Sequence, residues 1–246
     1  MDDLALIRPD WPAPRSVQGA VSTRTGGVSA GPYESLNLGG HVGDQAARVA
    51  ENRRRLRTAL ALEAEPVWLQ QEHGTTVTRL GRVSSAPVAD AAVAFEPAQV
   101  CAVLIADCLP VLLCDRAGTR VGIAHAGWRG LADGVVEATL AALDCAPGEL
   151  MAWLGPAIGP EAFEVGEEVR ERFLRADPGA DGAFVRNARG RWQADLCALA
   201  RRRLARAGLA AVYGGSMSTH AQPRRFYSHR REGVCGRMAA LIWLAR

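Results

Sequence analysis

The chain has 246 residues, of which 48% are hydrophobic and 22% are charged, the proportions of an ordinary folded protein. A chain of this length buries roughly three-quarters of its unfolded surface, so one core needs no disulfide bonds to hold it. The six cysteines have no Cys-x-x-Cys spacing, which is typical of reduced thiols in a cytoplasm. The net charge is only +3 and the sequence carries no nucleic-acid-binding motif, so we expect no nucleic-acid partner.

The N-terminal sequence and the apolar runs argue against membrane insertion or export. The chain begins with the acidic segment Met1–Leu4 and soon meets Pro9 and Pro12, unlike the basic start and apolar core of a secretory signal. No apolar run reaches the roughly 20 residues that a membrane-spanning helix requires. We therefore expect a cytoplasmic protein without a membrane partner.

Apolar patterning and turn residues predict both strands and helices along the chain. Continuous apolar runs predict strands that are buried on both faces. Because strands and helices do not alternate regularly and no linker divides them, the pattern predicts an α+β fold in a single domain over residues 1–246. The predicted elements are a strand at Val17–Ser22, a helix at about Gln45–Ala61 capped by Asp44, strands at Val67–Leu69, Val100–Ala106, Val111–Cys114 and Val121–Ala124, a helix at about Leu131–Leu143, a strand at Met151–Leu154, helices at Glu167–Arg175 and Ala194–Ala207, and a strand or helix at Met238–Leu244.

Three good metal-ligand side chains follow apolar strands, namely His73, Cys108 and His125. Their separations are 35 and 17 residues (108 − 73 and 125 − 108), which are not the spacings of a zinc finger. Three ligands carried on separate strand ends are typical of an open catalytic zinc site, which keeps its fourth position for water. Bound zinc would lower the pKa of that water from about 15.7 to about 7. Gly or Pro follows each ligand within two residues, which favours a site over a strand interior.

The same three residues also fit other classes of protein. Cys108 is a candidate nucleophile for a metal-free hydrolase, with His125 or His73 accepting its proton. Asp107 is a candidate to orient that base, although the neighbour of Cys108 on a strand should point to the opposite face. A binding or regulatory protein with a degenerate site is a third interpretation.

Two arginines beside glycines, Arg24 and Arg129, are candidates for binding a phosphate or a carboxylate. Trp128 is expected to pack in the core, and its alternative role is a stacking surface for a flat ring. The remaining histidines lie in polar, loop-like segments and are left out of the predicted metal site: His41, His220 and His229.

Many motifs in one order resemble a single family along nearly the whole chain. They are Ser22–Ser29, Ser35–Gly39, Glu51–Arg53, Gln71–Gly74, Ala106–Val111, His125–Leu131, Gly155–Pro160, Phe163–Gly166, Phe226–Arg231 and Gly236–Met238. These motifs resemble the multicopper-polyphenol-oxidase (laccase) domain family, whose members are also described as purine nucleoside phosphorylases with adenosine deaminase activity. The sequence departs from the family pattern at Ser218-Thr219, where the family usually carries Cys-Thr.

The resemblance implies that the three ligands bind zinc within layered mixed β-sheets flanked by helices. It further implies phosphorolysis of adenosine, inosine, guanosine and methylthioadenosine, and hydrolytic deamination of adenosine. Purine nucleosides and phosphate would then be the substrates, with Asn37 and Gln71 placed near the ligand beside Arg24 and Arg129. Copper-dependent phenol oxidation is an alternative, but one His-Cys-His trio does not supply several copper centres. Candidates for the general acid or base are Glu72, Glu164 and Asp107.

Overall fold

The computed structural model describes residues 4–81 and 86–246, so the acidic residues 1–3 that entered the signal-peptide argument lie outside it. The strands are β1 (Leu6–Ile7), β2 (Val17–Ser22), β3 (Val67–Trp68), β4 (Val77–Arg79), β5 (Ala91–Ala94), β6 (Val100–Ile105), β7 (Leu109–Asp115), β8 (Val121–Ala126), β9 (Leu150–Leu154), β10 (Glu164–Val165), β11 (Phe184–Arg186), β12 (Trp192–Ala194), β13 (Val212–Gly214) and β14 (Met238–Leu244). The α-helices are α1 (Ala46–Ala59), α2 (Trp128–Asp133), α3 (Val135–Ala142), α4 (Glu167–Ala176), α5 (Leu196–Arg206) and α6 (His229–Glu232). Short 3-10 turns cover Gly31–Tyr33, Pro147–Glu149 and Pro178–Ala183.

The strands form two large mixed sheets and one small antiparallel sheet. The five-stranded sheet has the order β1-β2-β14-β6-β3, and the six-stranded sheet has the order β13-β9-β7-β8-β5-β4. The small sheet has the order β10-β12-β11. Strands β3 and β6, β4 and β5, and β9 and β13 pair in parallel, while β7 pairs antiparallel with β8 and β9.

Apolar side chains join these sheets and the helices into layers. The two large sheets pack face to face through residues such as Val103 of β6, Ile123 of β8 and Met238 of β14. Helices α2 to α5 cover the outer face of the six-stranded sheet, and Leu56 of α1 packs on the outer face of the other. This arrangement confirms the predicted α+β fold of layered mixed sheets flanked by helices.

Two of the predicted ligands lie where the chain crosses from one large sheet to the other. Cys108 stands between β6 of the five-stranded sheet and β7 of the six-stranded sheet, and His73 stands between β3 and β4, which belong to the same two sheets. The residues Asp107 and His73 adopt positive φ angles of 95° and 60°, which turn the chain sharply at these crossings. His125 lies on β8 directly opposite Pro110 of β7. The topology therefore brings the three side chains to one edge between the sheets.

Most predicted elements are confirmed, and two details were wrong. The helix predicted over Leu131–Leu143 is interrupted at Gly134, whose φ of 105° separates α2 from α3. Asp44 does not cap the first turn of α1, because its carboxylate accepts from Gln45, Ser29 and Asn37 instead. The undecided segment Met238–Leu244 is a central strand, buried because it pairs with β2 and β6. Among the described residues, no helix is both long and apolar enough to cross a membrane.

Candidate metal centre

His73, Cys108 and His125 form a compact cluster of nitrogen and sulfur donors. One ligand atom from each residue lies within 4.8 Å of the others. Cys108 Sγ is 3.6 Å from His73 Nε2, and the two imidazole rings meet edge to face with centroids 4.8 Å apart. His125 is buried, Cys108 is half-buried and His73 is exposed. The cluster is therefore open on the His73 side, as a catalytic metal site must be.

Asp90 fixes two members of the cluster. Its carboxylate lies 2.8 Å from His125 Nδ1, and it accepts backbone N–H bonds from Glu72, His73 and Gly74 at 3.1, 2.9 and 2.7 Å. Because Nδ1 of His125 is held by Asp90, its Nε2 is the ring nitrogen left for a metal ion. A carboxylate behind a ligating histidine is the usual support of a metal-binding imidazole.

The charges of the cluster favour the metal-binding form of the thiol. Burial acts to raise the pKa of Cys108, but the imidazoles of His125 and His73 outweigh it and bring the pKa to about 6. Burial acts to lower the pKa of His125, but Cys108 and Asp90 outweigh it and raise the pKa to about 9. The two imidazoles therefore favour the thiolate form of Cys108, which is both the ligand and the nucleophile form of cysteine.

The space around the donors also suits an ion. A Cβ atom placed on Gly127 would lie 2.8 Å from His73 Cδ2 and 3.0 Å from Cys108 Sγ, so only glycine leaves the donors where they are. Zinc and copper both bind thiolate sulfur and imidazole nitrogen as ligands. The three residues therefore fit a metal ion.

A cleft of about 730 Å³ opens over the cluster. Two arginines in its wall, Arg53 and Arg237, form a cationic region beside His41. Arg53 stacks 4.2 Å above the Trp68 ring, and its Nε and Nη2 donate to Leu38 O. Burial, followed by the charges of Arg237 and Arg53, lowers the pKa of His41. The wall of the cleft therefore contains a cationic region, apolar side chains and the metal cluster. The lining also includes Leu69, Gln70, Gln71, Leu104, Ala106 and His229.

The chain is similar to known proteins along nearly its whole length. Residues 18–245 match the family model described as multi-copper polyphenol oxidoreductase laccase. The chain belongs to this family. It is 51% identical over 240 residues to purine nucleoside phosphorylase YfiH of Escherichia coli, covering 97% of this chain and 98% of that protein. It is 53% identical over 241 residues to a purine nucleoside phosphorylase of Pseudomonas aeruginosa, covering 98% of each. A crystal structure from Neisseria meningitidis superimposes with a TM-score of 0.95 at 48% identity, covering 98% and 99% of the two chains.

Two of the residues predicted to bind substrate lie away from the cleft wall in this member of the laccase family. Arg24 pairs with Glu232 at 2.7 Å and lies over the Tyr227 ring. Asn37 is fully buried, and its side chain bonds Gly39, Asp44 and the backbone N–H of Arg237. Both side chains thus hold loops together, and Arg237, which Asn37 positions, is the one that reaches the cleft.

The other two predicted substrate contacts are also placed by the structure. Gln71 lines the cleft, but its amide exchanges two hydrogen bonds with the Leu104 backbone, at 2.7 and 2.9 Å. Arg129 is exposed on α2 with its guanidinium 4.7 Å from the Trp128 ring. Of the four predicted contacts, Gln71 alone is among the residues of the cleft wall.

The three acidic candidates for proton transfer all have other partners. Glu72 is exposed, and its backbone N–H bonds Asp90. Glu164 accepts from Asn187 and pairs with Arg189. Asp107 accepts from Thr219 Oγ1 and the Arg230 N–H. It lies in the turn between β6 and β7 with a φ of 95°, so the alternation along a strand does not apply to it. Ser218, at the family's cysteine position, donates to Glu161, so it lies outside the three-residue cluster.

Sequence reasoning missed the residues that surround the cluster. Asp90 carried a usable signal, because a carboxylate at the start of the apolar run Ala91–Ala94 is costly unless it has a buried role. His41 and His229 were set aside because their segments read as loops, yet both line the cleft. No periodicity or spacing in the sequence connects these loop positions with the cluster.

Proposed function

We propose that this protein is a zinc-dependent purine nucleoside enzyme of the cytoplasm. It would cleave adenosine, inosine, guanosine or methylthioadenosine with inorganic phosphate to give the free base and a ribose 1-phosphate. It would also deaminate adenosine with water to give inosine and ammonia. The observation that carries the proposal is the His73, Cys108 and His125 cluster in the wall of a nucleoside-sized cleft, in a chain about half identical to proteins named purine nucleoside phosphorylases.

Each residue of the centre has a definite task in this proposal. His73, Cys108 and His125 would hold the ion, and Asp90 would keep the Nε2 atom of His125 pointed at it. When bound, zinc supplies a Lewis acid that polarises an oxygen ligand and lowers the pKa of water to about 7. His73 is exposed and all three residues line the cleft, so an ion held there would be accessible to water and substrate from the cleft.

We place the phosphate in the cationic region of the cleft, on Arg53 and Arg237. Both guanidinium groups are half-buried and lie in the cleft wall beside His41. Hydrogen bonds to Leu38 O and Cys235 O orient them, so their remaining N–H groups are fixed before a ligand arrives. Preorganised guanidinium groups suit the oxygens of phosphate. Arg24 and Arg129, the candidates from the sequence, are less well placed for this role.

His229 is our candidate for moving the proton. It lines the cleft together with Cys108, whereas Glu72, Glu164 and Asp107 are not among the residues of the cleft wall. Its imidazole would protonate a ring nitrogen of the leaving purine in phosphorolysis and the departing amino group in deamination. Histidine suits this task, because its ordinary pKa lies near neutrality.

Replacing His229 with glutamine is expected to lower kcat/KM for inosine phosphorolysis by about 10²- to 10⁴-fold, the usual contribution of a general acid or base. Bound zinc should be unchanged, since His229 is not a ligand. His220→Gln is the matched control, because His220 is not among the residues that line the cleft. Equal activity of the two variants would rule out the proton-transfer role.

The proposed function is tested by Cys108→Ala together with the wild-type protein, both purified without a metal-affinity tag. We expect about one zinc per wild-type chain by plasma mass spectrometry, as for an open site with three protein ligands. The variant should lose both the zinc and the formation of adenine and inosine from adenosine plus phosphate. Copper in place of zinc, with oxidation of phenols, would instead support the oxidase that the family name describes.

A metal-free cysteine hydrolase remains the second candidate function. The pKa of Cys108 is lowered to about 6, and the pKa of the neighbouring His125 imidazole is raised. That enzyme would be indifferent to a chelator and would be inactivated by alkylation with iodoacetamide. The zinc enzyme should lose activity to a strong chelator and regain it with added zinc. Full activity of folded, metal-free protein after attempted zinc loading would contradict the zinc mechanism.

A further inference from the structure

A second, smaller pocket meets the large cleft at the metal cluster. It has a volume of about 130 Å³, and it shares Ala106, Cys108 and His229 with the wall of the large cleft. Its other walls are mostly apolar, with Trp128 and Phe163 as aromatic members. The ligand-binding space is therefore divided into a small apolar part and a large cationic part, and the reactive side chains lie at the division.

We infer that the small pocket binds the purine base and that the large cleft binds the ribose and phosphate. This inference rests on the proposed function and specifies how the substrate lies in the site. A nucleoside has the same division, because a flat ring with apolar faces is joined by one bond to a polar sugar. In this orientation the glycosidic bond lies at the division, near Cys108 and His229, and the six-membered ring of the base lies within the small pocket.

The size and chemistry of the pocket suit a flat ring. An engineered apolar cavity of about 150 Å³ binds benzene, so a pocket of about 130 Å³ that opens into the cleft accepts the six-membered ring of a purine. Trp128 is half-buried, and Phe163, Ile158 and Leu196 are buried, which makes the walls firm. The cationic region of the large cleft, by contrast, has the donors that a phosphate requires.

One edge of the small pocket is polar, because it carries the Asp107 carboxylate. Asp107 lies in its wall, and its two carboxylate oxygens accept one bond each, from Thr219 and from the Arg230 N–H. A carboxylate has about four acceptor positions, so Asp107 can also accept from a base. Adenine carries a donor at its amino group, and hypoxanthine and guanine carry one at N1. An acceptor at this edge would therefore tolerate all three bases.

Direct binding of hypoxanthine tests the inference without reference to catalysis. Isothermal titration of zinc-loaded protein should show binding that Trp128→Ala weakens by about tenfold, the effect of losing a stacking partner of a base. Trp192→Ala is the matched control, because Trp192 is also half-buried but is absent from both cavity walls. Equal hypoxanthine affinity in wild type and Trp128→Ala, or no binding to wild type, would overturn the inference.

Substrate analogues separate this inference from the proposed function. N6-benzyladenosine should react at least about tenfold more slowly than adenosine, because the small pocket cannot hold the added ring. The 5′-benzylthio analogue should react nearly as well as adenosine, because its substituent lies in the large cleft. If both analogues react as well as adenosine, the base does not occupy the small pocket although the enzyme is a phosphorylase. If adenosine itself is not cleaved, the proposed function fails. The hypoxanthine titration would still show whether the small pocket binds a purine base.

Discussion

Replacing Asp90 with alanine is expected to lower metal affinity by about 10- to 100-fold, or more, and to remove most of the nucleoside-cleaving activity. The carboxylate is 1% exposed and holds His125 Nδ1. It also accepts the backbone N–H groups of Glu72, His73 and Gly74. Without it, the His125 ring is free to rotate, and the backbone that carries His73 loses its anchor. One substitution thus disturbs two of the three ligands.

The same substitution should lower the free energy of unfolding by about 3–5 kcal/mol, because it leaves buried polar partners without a counterpart. Asp115→Ala separates this structural effect from the effect on the metal. Asp115 is also buried and accepts from the Thr119 N–H, the Thr119 hydroxyl and the Arg120 N–H. It stands at the opposite end of β7 from Cys108, about 20 Å away along the strand.

We expect Asp115→Ala to be destabilised similarly while it keeps its bound zinc. Metal content by plasma mass spectrometry and unfolding by urea should be measured on the same samples. Asp90→Asn, which preserves the shape of the side chain, should be more stable than Asp90→Ala but still deficient in metal, because its amide cannot accept all the bonds that Asp90 accepts. Full zinc affinity in Asp90→Asn and Asp90→Ala would show that Asp90 stabilises the fold without positioning the ligands.

The cluster could be predicted from the sequence because its members follow strong local signals. His73 and Cys108 come soon after apolar strands, and His125 lies near the end of one, so three strand ends pointed to one site. The layers could be predicted too, because β6, β7 and β8 are continuous apolar runs bounded by turns, which is typical of strands buried on both faces. The sequence could not tell that β6 and β7 belong to different sheets, since pairing partners such as β14 lie far away along the chain.

The rest of the site is built from residues whose proximity is produced by the tertiary fold alone. Arg237 reaches the cleft because Asn37, 200 residues earlier, accepts from its backbone N–H. His229 follows the buried segment Phe226–Ser228, which carries it to the edge of the cleft. Arg24 and Arg129 had stronger local signals, glycine neighbours, but one is used in an ion pair and the other is exposed. Local composition identifies residues that can bind an anion, and only the fold determines which of them face the ligand.

Replacing Gly127 with alanine is expected to weaken zinc binding by about 10- to 100-fold, a loss comparable to removal of a supporting group, while the fold remains intact. Gly127 has φ −61° and ψ 156°, which any residue can adopt, so the backbone itself does not require glycine. The added Cβ would lie 2.8 Å from His73 Cδ2 and 3.0 Å from Cys108 Sγ. Both ligands must therefore move to accommodate one methyl group.

The measurement is zinc affinity by competition with a chromophoric chelator, together with the thermal unfolding midpoint. Gly127 is the N-cap of α2, where alanine in place of glycine also costs part of the roughly 0.5–2 kcal/mol that a good cap contributes. Gly166→Ala controls for that cost, because Gly166 is the N-cap of α4 and the atoms nearest to its added Cβ belong to the flexible end of the Glu168 side chain. Similar stability in the two variants, with zinc lost only from Gly127→Ala, would show that the glycine is required by the metal centre. Unchanged zinc affinity in Gly127→Ala would mean that the histidine and the thiol have room to shift, and the centre would then be less rigid than its contacts with Asp90 imply.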